Sequence, residues 1–205
     1  MENQRERIFY SLAVACAARS YGEVTVRDII EHAGVSRRTF YDLFHDKEAC
    51  FIAAYDAVIA RLLRAVDAAY SEGERPWAER IATAVQAVIE QFVAEPERAR
   101  LVIVEVLAAG RIALEHRDAA LGRFAVFFES GQASLPGGMA GKETLTQAVI
   151  GGLYEALYTS IVEDQTDQLP ALVPDLLYCV LVPYLGHGAA IATSRAARRR
   201  ANGAH

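Results

Sequence analysis

Residues 25–47 constrain the fold of this chain more than any other stretch. Thr25 with Asp28 three positions on is a capping-box pattern that opens a helix. Val26, Ile29, Ile30 and Ala33 follow at helical spacing and give that helix one apolar face. Gly34 can then take the left-handed conformation that ends a helix without a Cβ clash. Ser36 is a good N-cap for a second short helix. In it Phe40 and Phe44, four residues apart, share an inward face. Asp46 caps the next helix, with Lys47 in its first turn.

Two short helices joined by a tight turn, with a third at once after them, form a helix-turn-helix. That arrangement lays its second helix in the DNA major groove. The face opposite Phe40 and Phe44 carries Arg37, Arg38, Thr39 and Tyr41, candidates to meet bases and backbone. Thr25, Arg27, Ser36, His45 and Lys47 are candidates to position the head on phosphates. Two arginines alone describe a solvated face; it is their conjunction with the caps, Gly34 and the aromatic pair that points to DNA. Asp42 is an acid on the same helix: it can accept from cytosine but repels phosphate.

The run Thr25, Val26, Asp28, Ile29, Ile30, Ala33, Gly34, Val35, Ser36, Thr39, Phe40, Tyr41, Phe44, Lys47, Glu48 closely resembles the DNA-binding domain of the tetracycline-repressor (TetR) family. Upstream, Arg7, Ile8, Phe9, Leu12 and Ala13 look like that family's first helix. The resemblance implies a ligand-responsive transcriptional regulator, a repressor, that binds double-stranded DNA at a palindromic operator as a homodimer. It also implies a helical body that takes a small-molecule effector.

Composition agrees with a globular regulator. The 205 residues are 53% hydrophobic and 23% charged, with a net charge of −5. Residues 1–47 hold seven basic and seven acidic side chains, so the acidity comes from the remainder. Positive charge on the head therefore has to be concentrated at Arg27, Arg37, Arg38 and Lys47, which predicts clear salt dependence of binding. Cys16, Cys50 and Cys179 are odd in number, far apart and set among apolar residues. That pattern fits buried thiols in a reducing cytoplasm, not a metal site or disulfide framework. No phosphate-binding or dinucleotide-binding glycine pattern occurs, and no cofactor or metal is expected.

The remainder reads as helices without strand alternation, so the fold class is all-α. The expected division is residues 1–47 as the DNA-binding domain and 48–205 as a helical ligand-binding and dimerisation domain. Helices are expected over 47–70, from Trp77 through Phe92, from Pro96 to Gly110 and over 111–129. A loop over 130–142 follows, then a helix to about Asp164, one from Pro170 or Pro174 to Pro183, and a short last one over 189–199. Residues 176–193 lack formal charge and precede an arginine-rich tail, the outline of a membrane anchor. Pro183, Gly186 and Gly188 interrupt it, which favours a buried interface helix and no membrane.

By resemblance, residues 143–163 and 171–184 pack against their counterparts in a second copy. Ala148, Gly151, Gly152 and Ala156 offer a small-residue face for close approach. Candidate walls of an effector pocket are Phe92, Phe124, Phe128, Tyr154 and Tyr158, which suit a largely apolar ligand. For any one of them, plain core packing competes with that role. Glu105 stands in an otherwise apolar run and needs a partner, from Arg111, His116 or Arg117 or from a ligand cation. Two other functions compete: a helical adaptor whose head docks on protein, and a helical enzyme using Glu105 and His116. The enzyme has no nucleophile, metal spacing or phosphate loop in its support.

Overall fold

The computed structural model describes residues 2–71, 74–133, 135 and 141–203, with backbone alone for 2 and 200–203. Among these residues the chain is all helix and turn, without strands. The helices are α1 (Glu2–Arg19), α2 (Val26–Ala33), α3 (Arg37–Leu43), α4 (Lys47–Ser71), α5 (Trp77–Ala94), α6 (Pro96–Ile103), α7 (Arg111–Ala125), α8 (Glu129–Gln132), α9 (Lys142–Val162) and α10 (Leu169–Gly203). Short 3-10 turns occupy Glu105–Leu107, Val126–Phe128 and Thr166–Gln168.

Three expected boundaries differ. The helix opened by Pro96 stops at Ile103, and a 3-10 turn replaces its expected run to Gly110. The helix over 111–129 likewise gives way to a 3-10 turn at Val126. The two expected terminal helices are continuous in hydrogen bonding but kinked at Gly186, where φ is 73° and ψ 172°. Pro183 lies within the run and does not end it. Of the expected loop over 130–142, residues 130–132 are helical in α8 and Lys142 already opens α9, while 134 and 136–140 lie outside the described residues.

The packed chain gathers into two compact units. Residues up to Arg61 join Glu95–Ala120 in the first; Leu62–Ala94 and the chain from Leu121 onward form the second. The functional division expected at residue 47 follows chain order, whereas compactness brings α6 and the start of α7 together with the head.

In the first unit α1 packs on α2 and on α6. Ile8, Leu12, Ile29, Phe40, Phe51 and Leu101 are fully buried there. Phe44 bridges Phe9 and Phe40, with ring centroids 5.7 and 5.6 Å apart. An ionic chain ties α6 to its neighbours. Arg61 forks onto Glu95, Arg98 lies 3.1 Å from Glu95, and Arg98 also reaches Glu6 on α1 at 3.3 Å. The Arg61 hydrogen bond holds the Glu95 carboxyl below its usual range.

In the second unit α10 packs along α5 and α9. By length and composition α10 is the one described helix that could cross a membrane. Leu177, Val180 and Leu181 in its middle are nonetheless buried within the protein. Trp77 lies among Phe128 and Tyr184, with centroids at 6.4 and 5.1 Å, and its indole N–H donates to the Phe127 carbonyl at 3.1 Å.

Gly131 sits directly under this ring: a Cβ there would stand 2.3 Å from Trp77 Cζ2. Gly131→Ala is therefore expected to lower stability by about 1–3 kcal/mol through overpacking. It should also shift the emission of Trp77, the sole tryptophan. Urea denaturation followed by fluorescence and circular dichroism checks this, and an unchanged midpoint contradicts it.

Candidate nucleic-acid interface

The head is built by local caps. Thr25 Oγ1 accepts from the Asp28 amide at 3.3 Å, and the Thr25 amide donates to Asp28 Oδ2 at 2.8 Å, which closes the capping box of α2. The Thr25 hydroxyl also donates to Asp28 Oδ2 at 2.7 Å, and this bond, followed by the one from the Thr25 amide, lowers the Asp28 pKa. Gly34 ends α2 at φ 61° and ψ 41°. Arg7 on α1 donates to the Gly34 carbonyl at 3.0 Å and also bonds the Ala33 carbonyl, so the turn is pinned from outside the motif. Ser36 Oγ accepts from the Thr39 amide at 2.9 Å and starts α3. Asp46 Oδ1 accepts from the Ala49 amide at 2.8 Å and starts α4.

These caps leave α3 with two unlike faces. Phe40 is buried beneath it, while Arg37, Arg38, Tyr41 and Asp42 are exposed. The Arg37 guanidinium lies 5.6 Å from the Tyr41 ring centroid, so two exposed candidate contacts hold each other in place. Arg38 and Asp42 pair one helical turn apart at 3.8 Å, with side chains 91% and 68% exposed. Pairs so exposed are weak and readily exchanged. Asp42 thus partly offsets the charge of Arg38 through a pairing that their i, i+4 spacing on one helix allows.

The remaining candidates divide. Thr25 and Ser36 are exposed but already serve as caps. Arg27 pairs with Glu31 at 2.6 Å, and exposed His45 pairs with Asp46 at 3.1 Å. Lys47 differs most from expectation. Its ammonium donates to the carbonyls of Tyr21 at 2.9 Å and Val24 at 2.8 Å, and lies 4.1 Å from the Tyr21 ring centroid. Two of its three donors are used inside the protein, so it ties the α1–α2 turn and does not project toward a phosphate.

Glu105 is also corrected in its partners. It is buried, its Oε2 accepts the Tyr21 amide at 2.7 Å, and its Oε1 accepts from Arg100 Nε at 3.3 Å. Arg111 pairs instead with Glu115, and His116 lies 2.8 Å from Asp56; Arg117 pairs with Asp118 at 2.7 Å. Glu105 belongs to the first unit, while Phe92, Phe124, Phe128, Tyr154 and Tyr158 belong to the second. Among those five, Phe92 and Phe128 are buried and the others half-buried.

The second unit adds a polar network that sequence reading missed. Gln132 donates to Thr146 Oγ1 at 3.1 Å, and Thr146 bonds the Tyr184 hydroxyl at 2.9 Å, beside Trp77 and Phe128. Burial raises the Tyr184 pKa and keeps the phenol neutral. Residues so far apart in the chain carry no shared spacing by which to find them. Cys16 and Cys50 are buried and their thiols are pushed up to about 12, chiefly by burial. At neutral pH they are therefore protonated, inert core groups.

An all-α protein with a capped helix-turn-helix head and an exposed Arg–Tyr face on its second helix is a DNA-binding regulator by class. Residues 11–54 match the family model described as "Bacterial regulatory proteins, tetR family", so the likeness to that family is carried by the head. No curated protein matches the chain. Among solved structures it is similar to the fatty acid degradation regulator FadR from Bacillus halodurans. Identity is 19%, 86% of this chain and 97% of that one are covered, and the TM-score is 0.76. It is also similar to the transcriptional regulator FadR from Bacillus subtilis in complex with stearoyl-CoA, at 17% identity, 88% and 98% coverage and a TM-score of 0.74. A TetR family transcription regulator from Marinobacter aquaeolei VT8 matches at 15% identity, 96% and 95% coverage and a TM-score of 0.67. At these identities the likeness concerns the fold, and it spans both units.

Proposed function

We propose that this protein is a cytoplasmic, homodimeric repressor that binds a palindromic operator and releases it when an effector enters the helical body. The observation that carries the reading is the α3 face: Arg37 stacked on Tyr41, with Arg38 one residue on, above a buried Phe40. In the proposed roles Arg37, Arg38, Thr39 and Tyr41 read bases and backbone. Thr25, Arg27, Ser36 and His45 are available to phosphates only by exchanging or sharing their present partners. The proposed division of labour keeps residues 1–47 as the reader and 48–205 as the effector and dimerisation region.

Dimerisation is proposed through α9 and α10. Ala148, Gly151 and Gly152 are exposed on α9, and an added Cβ on either glycine would meet nothing within 4 Å inside the protein. Such a bare surface suits close approach by the same helix of a second copy, and two-fold symmetry then calls for a two-fold operator. Similarity to a regulator seen with stearoyl-CoA makes long acyl chains the effector class to test first. The aromatic cluster of Trp77, Phe128 and Tyr184 with its hydroxyl network supports an apolar ligand that carries a few polar atoms.

Selection of fragmented genomic DNA with the purified protein tests the reading. Enriched fragments should share an inverted repeat, and binding should weaken steeply with salt. Failure to enrich any fragment would turn the reading toward a protein-docking adaptor.

A further inference from the structure

Two charged side chains hold the α1–α2 turn in a way that direct DNA contact does not explain. Ser20, just after α1, has φ 68°, in the left-handed region. A non-glycine residue stays there only where its surroundings over-determine it. Those surroundings grip the next residue from both ends. The Tyr21 amide donates to Glu105 at 2.7 Å, and the Tyr21 carbonyl accepts from Lys47 at 2.9 Å. Glu105 is 3% exposed and comes from the 3-10 turn that follows α6, 84 residues along the chain. Its flanking residues are apolar, and packing alone would be served better by another apolar side chain. The buried carboxylate pairs with Arg100 through Oε1 at 3.3 Å, which leaves Oε2 to make a short, directional, charge-assisted bond to the Tyr21 amide. Thr25, the N-cap of α2, lies four residues beyond Tyr21, so this turn sets the direction in which α2 and then α3 leave α1.

We infer that Glu105 is a positioning residue for the reading helix: from the 3-10 turn after α6 it latches the α1–α2 turn and so fixes α2 and α3 for DNA. The inference rests on the DNA-reading role of α3. Any rearrangement that lifts residues 104–107 away removes the acceptor from Tyr21, and the strained turn relaxes.

The test uses the full chain and a duplex that the wild-type protein enriches from genomic DNA. Glu105→Leu keeps the volume and removes the acceptor. It should weaken binding by about tenfold or more with helix content unchanged, whereas Glu105→Gln, which keeps an acceptor oxygen, should stay within about threefold. Hydrogen exchange at the Tyr21 amide should accelerate in Glu105→Leu while the Leu12 amide in α1 stays protected. Adding Ser20→Gly to Glu105→Leu removes the strain and should recover part of the affinity. Equal binding by Glu105→Leu and wild type overturns the inference, as does an equal loss in the Leu and Gln variants. If Glu105→Leu does not fold, Glu105→Ala, which also lacks the acceptor, decides: selective acceleration of exchange at Tyr21 with weakened binding supports the latch, and unchanged exchange and binding overturn it. A wild-type protein that enriches no DNA overturns the DNA-reading role itself, a result distinct from loss of the latch.

Discussion

Arg37→Ala/Arg38→Ala is expected to bind the selected operator far more weakly than wild type while unfolding at the same temperature. Each arginine that forks onto a guanine contributes roughly 1–3 kcal/mol of discrimination. The two sites differ. Arg38 has its exposed pairing with Asp42 to give up, at little cost, whereas Arg37 is braced by the Tyr41 ring. Asp42→Asn should therefore change affinity less than either arginine substitution and should flatten with added salt as the Arg38 pair is screened. Tyr41→Ala should imitate part of the Arg37 loss by removing its brace. Gel-shift titrations at several salt concentrations separate these effects. An unchanged affinity in the double variant would remove Arg37 and Arg38 from the interface.

Phe40→Ala is expected to lower stability by about 3–5 kcal/mol. Phe40 is fully buried and its ring meets Phe44 and Tyr41, at centroid distances of 5.6 and 5.4 Å. The truncation leaves a cavity under α3, a helix of seven residues too short to hold itself without packing. Thermal unfolding would show the loss. DNA affinity measured well below the new midpoint should fall as well, because the exposed face is displayed only while the buried face is anchored. Phe40→Leu should recover much of the stability by refilling the space. A Phe40→Ala protein with wild-type stability would place the anchor of α3 elsewhere.

The parts of the head legible in the sequence are those whose causes lie within a few residues. Thr25 with Asp28, Ser36 with Thr39 and Asp46 with Ala49 are caps made across three positions. Gly34 answers a local backbone demand and takes the left-handed conformation expected of it. The apolar stripes Phe51, Tyr55, Val58 and Leu62 of α4 and Trp77, Ile81, Val85 and Val88 of α5 are likewise local periodicities. The break of α6 at Val104 carried no comparable mark, since Leu101 through Ala109 reads as one apolar run apart from Glu105. Proline and glycine signals near residue 186 indicated an interruption in α10 but not whether it would end the helix or kink it.

The sequence by itself determined the all-helical class, the positions of the caps, the helix-turn-helix and the likeness of that head to a known family, because spacing along one chain fixes hydrogen bonds and apolar faces over a few residues. Only the tertiary structure decided which charges are available. Lys47 turns inward to the carbonyls of Tyr21 and Val24, Glu105 reaches Tyr21 across 84 residues, and Arg7 closes the end of α2 from α1. Each of these depends on where the chain returns after long separations. A charged side chain settles on whichever donor or acceptor that return brings near, and no local pattern records it.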